Sequence, residues 1–193
     1  MILALDWCCG ISWSLAYIAA LLIGFKNKTY CIPKLSICMN FAWELWVVIS
    51  RVQSGSSLSS GFISQLMWLT LDIGILISWL AFDKDISQIK KGAMFLAVVA
   101  AVYFIAYKAG QWKLSVFVIN VLMSLEFLWR CRKECGKWIS PFIAFAKLVG
   151  TLAATVLNGV IFRNGVILWL GGLCLIFDSY YLMTLRRKNL DNG

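Results

Sequence analysis

Residues 62–82 read FISQLMWLTLDIGILISWLAF, an apolar run with one ionisable side chain, Asp72, near its middle. At about 1.5 Å per residue a helix of this length spans about 30 Å, the thickness of a bilayer's hydrocarbon core. Comparable stretches recur at about 5–25, 34–51, 92–107, 113–130, 140–162 and 165–185, with 92–107 the shortest. Seven spans leave almost nothing of the 193 residues for a domain outside the membrane. The chain therefore reads as all-α, a single transmembrane domain over 1–193 built as a seven-helix bundle, and function must reside within the bundle. Composition agrees, at 61% hydrophobic and 14% charged residues, against roughly 45–50% and 25% for soluble domains.

The distribution of basic residues sets an orientation. Lys26, Lys28, Lys34, Lys84, Lys90, Lys91, Arg130, Arg132, Lys133, Lys137, Arg186, Arg187 and Lys188 fall in alternate connections and the tail. The opposite side holds Arg51, Lys108, Lys113 and Arg163. The positive-inside rule then predicts an outer amino terminus and a cytoplasmic carboxy terminus, in a multi-pass protein of the plasma membrane in a bacterium or the endoplasmic reticulum in a fungus. The basic loops call for no nucleic acid, because orientation and weak attraction to anionic lipid headgroups account for them. No obligate protein partner is evident. The first segment carries Asp6, lacks a basic leading region and is rich in Trp7, Trp13 and Tyr17, which favours a retained helix over a cleaved signal.

Seven cysteines and no histidine narrow the chemistry. Cys8 and Cys9 are adjacent, Cys131 and Cys135 flank a loop, and no paired C-x-x-C unit occurs, so no metal site and no cofactor is expected. Without histidine, carboxylates, lysine or tyrosine must move any proton. Asp83-Lys84-Asp85 reads as a solvated turn, and Gln53–Gly61 as an outer loop. Pro33 and Pro141 each open a helix, where proline is tolerated.

Five ionisable groups lie inside the apolar spans: Glu44, Asp72, Glu126, Lys147 and Asp178. Each is costly at bilayer depth, roughly 2.5–3.5 kcal/mol for Asp or Lys on insertion scales, and such groups by default mark function. Measured from the nearest cytoplasmic basic residue, Glu44 and Lys147 lie about 15 Å deep, Asp178 about 12 Å, Asp72 about 18 Å and Glu126 about 6 Å. Four helices thus bring ionisable groups into one layer, as a single buried site would require. Helical faces support this, with Asn40 one turn from Glu44, and Gln65, Trp68, Asp72 and Trp79 on one stripe. Lys147, Thr151, Thr155 and Asn158 form another stripe, either lining a site or binding helices together, and Tyr181 follows Asp178 by three. Lys147 reads as an ion-pair partner of one of the acids, and Glu126 as an interfacial group. Trp43 and Trp68 lie too deep for an aromatic belt.

The cluster Asn40-Phe41-Ala42-Trp43-Glu44, an acid in the last span at Asp178, and the seven spans together resemble the small integral-membrane terpene cyclases of meroterpenoid and indole-terpenoid biosynthesis, found in fungi and also in bacteria. That resemblance implies metal-independent, proton-initiated cyclisation of a prenyl chain, often bearing a terminal epoxide, on an aromatic or heterocyclic head. Its two essential acids would be Glu44 and Asp178, one donating the proton and the other orienting or activating it. Desolvation disfavours a carboxylate anion, so a shielded carboxyl can serve as a Brønsted acid. Aromatic faces can stabilise the travelling cation, and exclusion of water prevents quenching. Asn40 is expected to hold Glu44 neutral, Trp43, Trp68, Asp72 and Tyr181 to line the pocket, and Lys147 to tune a nearby acid. The partners implied are a prenylated aromatic or heterocyclic small molecule and membrane lipid. Two other readings of the intramembrane acids are a proton-coupled transporter and a lipid-modifying hydrolase.

Overall fold

The computed structural model describes residues 1–55, 60–83, 85–108, 110, 112–133 and 140–191. Among them the chain forms seven long helices and no strand: α1 (Ile2–Asn27), α2 (Lys34–Gln53), α3 (Ser60–Phe82), α4 (Ile86–Lys108), α5 (Trp112–Lys133), α6 (Pro141–Thr155) and α7 (Gly165–Asp191), with a π-helical segment, Val156–Ile161, continuing α6. Six of these, all but α4, are long and apolar enough among the described residues to cross a membrane. The protein is thus a multi-pass membrane protein. Lys84, Cys135, Lys137 and residues 56–59 of the serine-rich loop lie outside the described residues.

α2 packs against α3, α4 and α5; α1 lies against α6 and α3; α7 closes on α5 and α6. Of the six spans α2 is the least apolar and the most buried, carrying Ser36, Asn40, Glu44 and Ser50 inside. A soluble protein sorts its residues the other way. Here Leu22, Ile63, Ile77, Phe145, Trp169 and Ile176 face outward, where hydrocarbon is the solvent.

The helix ends explain the boundaries. Ser140 caps α6 by accepting from the Ile143 N–H at 3.4 Å, with Pro141 in the first turn. α2 starts after Pro33, which supplies no capping side chain. Its amides are answered from α5 instead: Glu126 accepts from Leu35 N–H at 3.0 Å and from Ser36 N–H and hydroxyl at 2.8 and 2.6 Å. The interfacial acid is therefore a cap supplied by another helix, and its charge suits the positive end of the α2 dipole. At the same end Lys34 pairs with Asp83 at 2.6 Å, and Trp79 Nε1 donates to Asp83 at 2.9 Å. Burial opposes ionisation of Asp83, but hydrogen bonds from Lys34, Trp79 and the Asp85 N–H outweigh it and hold the carboxyl below its ordinary range.

Close approach of α6 and α7 depends on small residues. A Cβ on Gly159 would stand 2.8 Å from Leu168 Cα, a backbone atom that cannot yield locally. Nothing lies within 4 Å of a Cβ on Gly172. Gly159→Ala is expected to cost about 1–3 kcal/mol through overpacking, while Gly172→Ala is near neutral; thermal unfolding of the two variants in detergent measures the difference.

Candidate active site

A cavity of about 490 Å³ lies between α1, α2, α3, α5 and the α6–π segment, within the usual range for small-molecule sites. Ile2, Leu3, Asp6, Arg51, Lys113 and Phe162 line it near the ends where α1 and α5 begin and α2 stops. Further in are Trp13, Tyr17, Asn40, Trp43, Glu44, Gln65, Trp68, Phe117 and Asn120. Most of these positions follow from helical period: Asn40, Glu44 and Arg51 share a face of α2, and Lys113, Val116, Phe117 and Asn120 a face of α5.

Glu44 is the buried carboxyl of the lining, 6% exposed. Gln65 Nε2 donates to its Oε2 at 2.6 Å. Asn40, expected to hold Glu44, instead donates to the Tyr17 hydroxyl at 2.7 Å. The indoles are fixed in the same way, Trp43 Nε1 donating to Ser115 Oγ at 3.2 Å and Trp68 Nε1 to Ser14 Oγ at 3.0 Å. Trp13 meets Tyr17 edge-on with ring centroids 5.9 Å apart and packs close against Gly150, where a Cβ would come within 2.7 Å of the indole.

The single layer of ionisable groups divides in two. Glu44, Asn40, Trp43 and Trp68 line the cavity, whereas Asp72, Lys147, Asp178 and Tyr181 do not. Lys147 Nζ bonds both oxygens of Asp178, at 2.6 and 2.7 Å, and Ser124 Oγ at 2.7 Å. Both partners are almost wholly buried. The ammonium lies 5.7 Å from the centroid of the Trp13 ring, so the pair stands one side chain behind the cavity wall. Tyr181 packs on Phe127 with centroids 5.4 Å apart. Asp72 is 2% exposed, and its Oδ2 has no hydrogen-bond partner among the described residues.

Tyr17, Gln65 and Asn120 are among the lining residues that sequence reasoning did not place in the pocket. Gln65 lay on the recognised α3 stripe, and Asn120 sits seven residues beyond Lys113, a spacing that marks one helix face. No group of three or more Cys, Asp or Glu side chains that could hold a metal ion occurs among the described residues.

Residues 2–131 match the family of Pyr4-like transmembrane terpene cyclases, and the chain belongs to that family. Among curated proteins it is similar to the Pyr4-family terpene cyclase mfmH of Annulohypoxylon moriforme, 30% identical over 78 residues, covering 40% of this chain and 31% of the relative. It is also similar to the terpene cyclase dpmpB of Macrophomina phaseolina (strain MS6), 23% identical over 166 residues, covering 86% of this chain and 54% of the relative. The chain thus spans about a third and about half of the lengths of these two relatives. No solved structure matches it significantly.

Removing one member of the buried pair strands the other. Lys147→Met is expected to cost about 3–5 kcal/mol, and Lys147→Met combined with Asp178→Leu to recover most of it. Thermal unfolding of the single and double variants checks this.

Proposed function

We propose that this chain cyclises the prenyl chain of a meroterpenoid-type or prenylated indole substrate by proton-initiated, metal-independent chemistry, with Glu44 as the acid. The observation that carries the reading is a buried carboxyl at the inner end of an aromatic-walled cavity, in a chain of the transmembrane terpene cyclase family. Gln65 engages Oε2 as an acceptor, which leaves Oε1 to carry the proton. On transfer to an epoxide oxygen the C–O bond breaks and its electron pair stays on oxygen as a hydroxyl; on transfer to an alkene the π pair forms the new C–H bond. Either leaves a tertiary cation that successive π-bonds of the chain attack. The final cation loses a proton, which can return to Glu44, so the reaction is an isomerisation with no net consumption of acid.

The faces of Trp13, Tyr17, Trp43, Trp68 and Phe117 would stabilise the moving positive charge. Asp178 acts in this reading through Lys147, neutralising the ammonium behind Trp13 and orienting that ring. In this reading, seven crossings with the amino terminus outside would put the Arg51–Lys113 mouth toward the outer leaflet, where a lipid-soluble tail can enter from the bilayer.

Glu44→Gln keeps shape and hydrogen bonding but supplies no acidic proton. Product formation from a prenylated acceptor is expected to fall at least ~100-fold, with the folded protein retained in membranes and the wild-type rate unchanged by chelators. Undiminished turnover in the amide variant would defeat the proposal.

A further inference from the structure

Two helices run past the cavity in opposite senses and carry a cation at its mouth, Arg51 on α2 and Lys113 on α5. Seven residues inward from each, about 10 Å along its axis, stand Glu44 on α2 and Asn120 on α5. The carboxyl and the amide therefore reach the cavity at one level. Between Lys113 and Asn120 the same face of α5 offers Val116 and Phe117, so the amide ends an otherwise apolar strip.

The other amides and two indoles of the lining already donate to the protein. Asn40 donates to Tyr17, Gln65 to Glu44, Trp43 to Ser115, Trp68 to Ser14 and Asn158 to the Ala154 carbonyl. Asn120 is 8% exposed and lines the cavity, and its amide takes no part in those bonds. Its backbone is held, because its carbonyl accepts from Ser124 Oγ at 2.7 Å, and Ser124 in turn accepts from Lys147. A primary amide carries two donors, and where it faces a largely apolar hollow a ligand oxygen is a favourable partner for it.

We propose that Asn120 is a substrate-binding residue: its amide donates a hydrogen bond to an oxygen borne by the inner end of the prenyl chain, placing that oxygen beside Glu44. This rests on the cyclase reading and deepens it, since it assigns the cavity floor to an oxygenated terminus rather than a plain hydrocarbon one. Glu44 then supplies the proton, and Asn120 fixes which atom receives it.

The test compares two probes that differ by one oxygen, farnesyl acetate and its terminal epoxide, titrated into purified protein in nanodiscs and followed by quenching of tryptophan fluorescence. Wild type is expected to bind the epoxide about tenfold more tightly, the scale of one net hydrogen bond. Asn120→Leu, similar in volume, is expected to remove that preference by weakening the epoxide alone. Asn120→Ser, which keeps a donor, retains part of it and carries the comparison if the leucine variant does not fold. A preference that survives in the variants, its absence from wild type, or an equal loss for both probes would overturn the assignment. Failure of wild type to bind either probe would bring down the cyclase reading as well.

Discussion

A charge withdrawn from water into a hydrocarbon-solvated bundle costs several kcal/mol unless another group answers it, and the packing of this chain is organised by those answers. Lys147 on α6 and Asp178 on α7 neutralise one another completely, with Ser124 on α5 as a third partner. The three helices that meet there are joined through α7, which packs against both α5 and α6. Glu126 is answered differently, by the unpaired amides at the start of α2. A carboxylate that would be a burden on α5 thereby fixes the height at which α2 begins, and with it the height of everything α2 carries.

The cavity is what remains once those pairs are made. With Asp178 bound to lysine behind Trp13, Glu44 is the deeply buried carboxyl that the hollow presents to a ligand, and it accepts a hydrogen bond from a neutral amide. Neutral partners matter here. A lysine beside Glu44 would fix it as an anion, whereas a glutamine positions it without supplying a countercharge. The aromatic wall is set by equally specific contacts, Gly150 leaving room for the Trp13 indole and Ser14 and Ser115 holding the indoles of Trp68 and Trp43. Ring orientation decides where a π-face points, so these small residues bear on chemistry as well as on packing.

Six of the seven expected spans and the intramembrane acids were legible because both are one-dimensional properties: a run of apolar residues has a length, and a charge within it has a depth. Partner choice was not. Counting residues from a charged end gives the height of a side chain but not its bearing around the axis relative to neighbours. Glu44, Lys147 and Asp178 stand at similar heights, and that similarity suggested one site. The structure turns Lys147 and Asp178 toward each other across the α6–α7 contact and Glu44 toward α3. The same limit hid the exchange of amides, since Asn40 is nearer Glu44 in sequence yet faces Tyr17 on α1. Tyr17 itself, in a helix with little polar character, gave no periodic signal beyond its aromatic ring.

The family match over residues 2–131 covers α1 to most of α5, the part that carries Tyr17, Glu44, Gln65, Trp68 and Asn120. Lys147 and Asp178 lie beyond it, on the helices that complete the bundle. The division follows the geometry: the earlier helices supply the polar groups at the cavity's inner end, while α6 and its π-helical continuation add Ala154, Leu157, Asn158 and Phe162 to its wall. A π-helical turn shifts the register of the side chains that follow it, and here it falls where Gly159 meets α7 and Asn158 meets the cavity. The irregularity in α6 thus falls between two surfaces, tight contact with α7 on one side and the outer wall of the cavity on the other.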